Sequence, residues 1–219
     1  MKTLIITGVL VFAACSGDGA NQADLGSVDS GPCGVGIYPC GPYGTTVGNT
    51  AANLTFSAFA APDDLCTVEK DKTLDLSQTV SLSFASWHLP PTGCADKHKQ
   101  LLWVMVAAGW CAPCLKEAKE VVQKIQDGSF DARVGLLSIL VEDKDHLPVS
   151  EAFVRDLWVK ETGVSYPVAL DPNFQMGAYF TKSSMPFNML IDLRTMKIQH
   201  RQVGNQTAEI WRQIEAFFK

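Results

Sequence analysis

Long apolar runs and one helical period organise the second half of the chain. Leu101–Ala107 and Val134–Val141 are continuous apolar runs of strand length, as expected for strands that are covered on both faces. Between them, from Ala118 to Ile125, apolar residues recur at i, i+3, i+4 and i+7 and charged residues fill the other face. This amphipathic helix is predicted to end at Asp127–Gly128. The alternation of strand and helix predicts a parallel βαβ unit.

Further elements are predicted on either side of this unit. Upstream, the short β-like runs Thr73–Leu76 and Val80–Phe84 indicate a hairpin followed by a loop. Downstream, Ser150 is predicted to cap a helix that ends at Gly163, and Thr207 to cap the closing helix. The strands predicted there are Tyr166–Leu170, Phe187–Ile191, which follows Pro186, and Lys197–Val203.

The first fifty residues have a different composition. From Ser16 to Thr50 the chain holds nine of its 17 glycines and hardly any large aliphatic residues, so this stretch is predicted to be unable to build a core. The predicted organisation is a signal peptide over residues 1–14, a flexible, lipidated Gly-rich tether over 15–52, and one folded domain over 53–219.

The N-terminus has the pattern of an export signal. One Lys precedes a short apolar stretch, and two small residues precede Cys15. Phe12–Ala13–Ala14–Cys15 resembles a bacterial lipoprotein signal, in which the cysteine sulfur carries the lipid, although Phe12 stands where Leu is commoner. An ordinary signal peptide cut nearby is the alternative. In either case we expect export to the periplasmic side of a membrane or to the cell surface. By the same resemblance Ser16 favours the outer membrane slightly.

Composition limits the classes of protein. With 47% hydrophobic and 19% charged residues among 219, the chain is too apolar to be disordered throughout. The 18 basic and 23 acidic residues give a net charge of -5 without a basic cluster, which argues against nucleic acid as a partner. No cofactor and no metal are predicted.

Seven cysteines carry the candidate chemistry. Outside the cytosol thiols pair or react, and setting Cys15 aside leaves six. Two of these form a CxxC, and the remaining four allow three pairings. Sequence proximity favours structural disulfides between Cys33 and Cys40 and between Cys66 and Cys94. A four-cysteine zinc site is the alternative, but the long separations and the lack of a second CxxC disfavour it.

The CxxC lies between a predicted buried strand and the amphipathic helix. Cys111 therefore stands at the helix N-terminus, where unpaired N–H groups and the helix dipole favour a thiolate, and it is predicted to be the nucleophile. Cys114, one turn further on, is predicted to be shielded and to resolve the mixed disulfide formed at Cys111.

Gly109-Trp110-Cys111-Ala112-Pro113-Cys114 resembles the WCxPC site of thioredoxin-like proteins, and in particular the exported TlpA/ResA type. The resemblance implies an α/β, thioredoxin-like fold over residues 53–219, with a central mixed β-sheet and helices on both faces. It implies that Pro186 is the cis-proline beside the CxxC, with the backbone of Met185 open to an incoming chain, and that Trp110 shapes the contact surface. An ordinary trans proline is the alternative for Pro186.

Glu117 extends the resemblance to WCxPCxxE. In the TlpA/ResA type this glutamate is implicated in proton transfer with the thiols, and Glu117 lies one turn after Cys114. Thioredoxin itself has a buried acid six residues before the first cysteine, where this chain has Met105. Glu117 is therefore expected to act as a buried catalytic carboxylate, with a solvated helix residue as the alternative.

These residues predict an extracytoplasmic thiol-disulfide oxidoreductase. Ala112–Pro113 resembles reducing members more than strong oxidants, so a reductant is favoured. The expected partners are protein or small-molecule thiols and disulfides, a redox partner that supplies electrons, and a membrane reached through the lipid anchor. One alternative is a thiol peroxidase, which would require a Thr-x-x-Cys setting. The other is a metal-binding or redox-inert surface lipoprotein. The four histidines are predicted to have no role, and Trp103, Trp158 and Trp211 are predicted to be core residues.

Overall fold

The computed structural model describes residues 34, 37–66, 71–88, 94 and 99–219. The predicted signal peptide, Cys15 and Cys33 lie outside these residues. None of the helices within the described ranges combines the length and the apolar character needed to cross a bilayer.

Seven strands form one mixed sheet in the order β2-β1-β5-β4-β3-β6-β7. The three central strands β5, β4 and β3 run parallel to one another, and the outer strands pair antiparallel. The strands are β1 (Thr55–Phe59), β2 (Val80–Ser83), β3 (Leu101–Ala107), β4 (Val134–Leu140), β5 (Val168–Leu170), β6 (Phe187–Asp192) and β7 (Lys197–Val203).

Helices cover both faces of this sheet. Neighbouring residues of a strand point to opposite faces, and Trp103 meets Trp211 of the last helix while Leu102 and Gly135 face Trp87 of the first. A Cβ on Gly135 would lie 2.6 Å from the Trp87 ring, so glycine allows this helix to approach the sheet closely. The helices are α1 (Phe84–His88), α2 (Ala112–Gln126), α3 (Glu151–Phe153), α4 (Val159–Thr162) and α5 (Thr207–Phe217), and a π-helical turn, Val154–Trp158, joins α3 to α4.

The central part of the sequence prediction is confirmed. Strand β3 has the predicted bounds, all seven of its residues are buried, and β3 and β4 form the parallel pair of a βαβ unit. Helix α2 ends one residue before Asp127, and Gly128 takes the left-handed backbone (φ 76°) that follows a helix end. The Ser150 hydroxyl accepts a hydrogen bond from the Phe153 N–H and caps its helix as predicted.

Two local predictions are wrong. Thr73–Leu76 forms no strand, and β2 pairs with β1 instead, which lies earlier in the chain. Thr207 does not cap α5 because it is already the first helical residue. Its side-chain hydroxyl lies 2.9 Å from the side-chain oxygen of Asn205 and 3.5 Å from a carboxylate oxygen of Glu117.

The predicted tether extends too far along the chain. Tyr38, Ala51 and Ala52 are buried, and the Tyr38 hydroxyl donates to the Ala51 carbonyl (2.9 Å). The backbone from Gly48 to Ala51 bonds to Met196 and to Ile198 of β7, and the Arg201 guanidinium donates to the carbonyls of Thr45 and Tyr179. Residues 38–52 therefore belong to the folded domain. Composition did not reveal this because backbone hydrogen bonds to an edge strand require few apolar side chains.

Outside the CxxC, the structure contains a disulfide between Cys66 and Cys94, which is the pairing that sequence proximity favours. Cys40 is disulfide-bonded as well, and its predicted partner Cys33 lies outside the described residues. Among the described residues, no three His, Cys, Asp or Glu side chains are grouped so that they could hold a metal ion.

Candidate active site

A disulfide at the start of α2 is the centre of the site. Strand β3 leads the chain through Ala108–Trp110 to Cys111, which is the N-cap of α2 and forms a disulfide with Cys114. The Cys111 sulfur accepts a hydrogen bond from the Cys114 N–H (3.2 Å). The sulfur thus lies where the unpaired N–H groups of the first helical turn point, which is the arrangement that stabilises a thiolate after reduction.

Solvent exposure does not distinguish Cys111 from Cys114 when they form the disulfide. Cys111 is 3% exposed and Cys114 2%, so the predicted shielding of Cys114 alone is not seen. The residues differ in position instead. Cys111 precedes the helix and receives the N–H hydrogen bond, whereas Cys114 lies inside the first turn and points toward the side where Glu117 follows one turn later.

Glu117 is buried on the sheet-facing side of α2, with 2% of its surface exposed. The alternative of a solvated helix residue is therefore wrong. Burial raises the pKa of Glu117 to about 7, against the opposing effect of hydrogen bonds from Asn188 and Thr207, while the charge of Glu120 adds to the rise. A carboxyl group with this pKa can take up or release a proton at neutral pH.

Three residues that surround Glu117 were not predicted as site residues. The Asn188 amide donates to both carboxylate oxygens, at 2.9 and 3.1 Å, and the Trp103 indole N–H donates to the amide oxygen of Asn188 at 2.6 Å. Thr207 adds the 3.5 Å hydroxyl contact. A signal was present for Asn188, which is an amide inside an otherwise apolar strand. No comparable signal marks Trp103, because an indole in an apolar run is typical of a core.

Trp110 lies on the outer side of the dithiol and is half-buried. Its indole N–H donates to Glu142 (2.9 Å), and the Lys182 ammonium binds the other carboxylate oxygen (2.5 Å). The His146 ring stacks on the indole, with centroids 4.9 Å apart and planes inclined by 20°. We call Trp110, Glu142, His146 and Lys182 the rim cluster. None of its members except Trp110 was predicted to contribute.

Partial burial raises the pKa of Glu142, but the hydrogen bonds from Lys182 and Trp110, with the charges of Lys182 and His146, outweigh it. The pKa of Glu142 therefore lies below its usual range, and this carboxylate stays charged at neutral pH. The backbone of Glu142 is bonded to the loop before Cys111 as well, since the Gly109 N–H donates to the Glu142 carbonyl (2.9 Å). The rim cluster is thus bonded to the loop that carries Cys111.

Met185 and Pro186 lie at the same end of the sheet. The peptide bond between them is cis, and Phe187, the next residue, pairs with Val106 near the end of β3. The structure therefore brings Met185–Pro186 next to the loop that leads from β3 to Cys111. The alternative of a trans proline is wrong. Met185 is partly buried against the core.

Comparison with known proteins identifies the fold. No family model and no curated protein matches the chain. Among solved structures, a candidate protein disulfide isomerase of Bacteroides thetaiotaomicron is 20% identical, with a TM-score of 0.51 over 78% of this chain and 89% of that one. Two 2-Cys peroxiredoxins are also similar. That of Plasmodium vivax is 17% identical (TM-score 0.53; 78% of this chain, 81% of that one). The mitochondrial one of Plasmodium falciparum is 15% identical (TM-score 0.53; 79% and 94%).

At these identities the likeness defines the fold, which is thioredoxin-like, with a central mixed β-sheet and helices on both faces. The predicted fold class is confirmed. The chemistry of this chain has to be inferred from its own site.

Proposed function

We propose that this protein is a thiol-disulfide oxidoreductase that exchanges disulfides through the Cys111–Cys114 pair, with Glu117 as the proton acceptor and donor for Cys114. One observation carries the proposal. A disulfide at a helix start lies one turn from a buried carboxyl group whose pKa is raised to about 7. A redox-inert lipoprotein would have no need to retain a buried carboxyl group at a cost to its stability.

In the reducing direction, which the Ala112–Pro113 pair favours, the dithiol reduces a client disulfide in two steps. The Cys111 thiolate attacks the client disulfide, one client sulfur leaves and is protonated, and a mixed disulfide remains on Cys111. Glu117 then takes the Cys114 proton. The Cys114 thiolate attacks the Cys111 sulfur, the mixed disulfide breaks, and the second client sulfur leaves as a thiolate and is protonated. Two electrons have passed to the client, and a dithiol redox partner restores the pair by the reverse sequence.

The client surface in this proposal consists of the rim cluster on one side of Cys111 and Met185–Pro186 on the other. Trp110 presents an indole whose N–H is bonded to Glu142 and whose ring stacks on His146, so it can pack on a client segment with little further ordering. The clients are accordingly proteins or small thiols and disulfides that can reach a half-buried indole.

Peroxidase activity is the alternative enzyme function, and the fold is compatible with it. The residue three before Cys111 is Ala108, however, which lacks the hydroxyl of a Thr-x-x-Cys site. We therefore assign the dithiol to disulfide exchange. Consumption of hydrogen peroxide at a rate matching that of disulfide reduction would contradict this assignment.

Substitution of the two cysteines tests the proposal directly. Cys111→Ser should abolish the reduction of a model disulfide, because no nucleophile remains at the helix start. Cys114→Ser should accumulate a mixed disulfide on Cys111, since nothing resolves it, and non-reducing electrophoresis with peptide mapping detects this species. Mixed disulfides on Cys114 in the Cys111→Ser protein, at the same yield, would reverse the two roles.

We also propose that the chain is exported and lipidated at Cys15, so that the domain works outside the cytoplasm. The support is the Phe12–Cys15 pattern and the oxidised state of Cys66–Cys94. Cys15→Ala should release the protein from membranes or block its processing, as followed by fractionation and by mass spectrometry of the N-terminus. A soluble, correctly cleaved wild-type protein would exclude the anchor, and fractionation of inner from outer membrane tests the outer-membrane preference.

A further inference from the structure

Asn188 lies between an indole and the buried carboxyl group, and it is itself fully buried. Its side chain makes three hydrogen bonds, one to Trp103 (2.6 Å) and two to Glu117 (2.9 and 3.1 Å). The three residues belong to neighbouring elements, since Trp103 is in β3, Asn188 in β6 and Glu117 in α2. No water is needed to join them.

The donor chemistry of these groups permits one orientation of the amide. An indole nitrogen can donate a hydrogen bond but cannot accept one, so the amide oxygen of Asn188 must face Trp103. The NH2 group then faces Glu117. Without Trp103 the amide could rotate by 180° and present its oxygen to the carboxyl group.

We propose that Asn188, with its amide oriented by Trp103, is a positioning residue that keeps the proton of Glu117 exchangeable during thiol exchange. The inference deepens the proposed function and rests on it. It concerns two residues, Trp103 and Asn188, that touch neither sulfur nor client and act through Glu117.

The amide affects the two protonation states of Glu117 differently. The NH2 group of Asn188, within hydrogen-bond distance of both oxygens, stabilises the ionised carboxylate and offsets part of the burial, so the proton acceptor is available near neutral pH. A protonated carboxyl group seeks an acceptor, and the amide oxygen of Asn188 is already bonded to Trp103. The proton that Glu117 takes from Cys114 therefore finds no acceptor on Asn188 that would retain it.

Other groups face Glu117 as well. The charge of Glu120 on the same helix raises the pKa of Glu117, and the charge of Glu117 in turn raises the pKa of Tyr166, which precedes β5. The Thr207 hydroxyl at the start of α5 lies 3.5 Å from Glu117. Cys114 lies one turn before it on α2. Substitution of Asn188 or Trp103 changes none of these groups, so their contribution stays constant across the variants below.

The titration of Glu117 in the oxidised protein tests the inference without any activity measurement. Side-chain carboxyl ¹³C shifts, followed from pH 4 to 10, report the midpoint for Glu117. Asn188→Leu removes the amide donor at similar volume and should raise this midpoint by about one to two pH units. Trp103→Phe keeps Asn188 but frees the amide to rotate, and should raise the midpoint by about half to one unit.

Trp211→Phe is the matched control. Trp211 packs edge-to-face on Trp103, with ring centroids 4.9 Å apart, so this substitution disturbs the same aromatic cluster and leaves the Trp103–Asn188 hydrogen bond in place. Its Glu117 midpoint should match that of the wild type. Equal midpoints in Trp103→Phe and Trp211→Phe would overturn the role of Trp103. An unchanged midpoint in Asn188→Leu, or in Asn188→Ala should the leucine variant not fold, would overturn the role of Asn188.

Exchange kinetics then separate this inference from the proposed function. If both hold, the pH–rate profile of each variant shifts with its Glu117 midpoint, and a rise of one unit from about 7 lowers the rate at pH 7 about five-fold. In a Glu117→Gln background neither substitution should move the profile. Shifted midpoints in a protein without exchange activity would refute the function and leave the positioning intact, whereas active protein with unshifted midpoints would refute the positioning alone.

Discussion

Two glutamates lie close to the dithiol in the chain or in space, Glu117 one turn after Cys114 and Glu142 bonded to Gly109 and Trp110, and their surroundings give them opposite properties. Glu117 lies beneath α2, where burial raises the pKa to about 7. Glu142 lies in the rim cluster, where partial burial raises the pKa but the hydrogen bonds from Lys182 and Trp110 outweigh it and lower the pKa. The same side-chain chemistry thus produces one carboxyl group that can exchange a proton near neutrality and one that stays charged.

The difference lies in the partners rather than in the depth of burial alone. The hydrogen-bond partners of Glu117 are an amide and a hydroxyl, which carry no charge and only partly offset the loss of water. Glu142 has a lysine ammonium 2.5 Å from one oxygen and an indole N–H 2.9 Å from the other. Uncharged hydrogen-bond partners allow a carboxyl group to gain and lose a proton near neutral pH, whereas an ion pair keeps a carboxylate charged.

Substitution of Glu117, the buried glutamate, is expected to have the largest effect, which is on the pH dependence of stability. Because its folded-state pKa of about 7 exceeds the usual 4.5, Glu117 stays protonated in the folded protein while the unfolded chain ionises. Stability should therefore fall as pH rises from 4.5 to 7, by about 3 kcal/mol, and level off above that range. Glu117→Gln should abolish this fall, as measured by urea unfolding of the oxidised protein at pH 4, 6 and 8.

The same substitution should slow disulfide exchange by about 10²-fold if general-base assistance is its whole contribution, and should remove the step near pH 7 in the rate profile. Glu161→Gln is the control, since the Glu161 side chain is 54% exposed and forms an ion pair with Lys119 of α2 rather than a contact with Glu117. If the Glu117→Gln protein had the stability profile and the exchange rate of the wild type, Glu117 would, like Glu142, exchange no proton during the reaction.

Substitution of Glu142, the glutamate of the rim cluster, should have a smaller effect, and the effect should be on KM for a protein client. Glu142→Gln keeps a hydrogen-bond acceptor for Trp110 but loses the ion pair with Lys182, which is a part-exposed contact of about 1 kcal/mol. The kcat/KM for a protein client should fall about five-fold through KM, while reduction of a small disulfide and the step near pH 7 should persist. Steady-state kinetics with both substrates measure this split. Loss of the pH step in Glu142→Gln would assign the proton transfer to the rim.

The sequence predicted the residues of α2 in the site better than it predicted the rim cluster. The buried strand, the helix period and the CxxC spacing located Cys111, Cys114 and Glu117, because each depends on local order along α2. Asn188 reaches Glu117 from 71 positions away and Lys182 reaches Glu142 from 40, contacts that only the folded sheet creates. Residues 38–52 were mistaken for a tether for the same reason, because partners such as Tyr179, Met196 and Ile198 lie far along the chain.

His146 should give the smallest effect and shows how far the rim is preorganised. Its ring stacks on Trp110, but its side chain is 67% exposed and its nitrogen lies 4.0 Å from Glu142, so the contact restricts the indole rather than fixing it. The backbone there has φ 62°, a conformation that asparagine tolerates, so His146→Asn removes the ring with little strain. We expect about a two-fold loss of kcat/KM for a protein client, equivalent to an aromatic pair of about 0.5 kcal/mol. His200→Asn on β7, outside the rim cluster, is the control and should leave kcat/KM unchanged. A loss larger than that of Glu142→Gln would mean that stacking, and not the ion pair, orders Trp110.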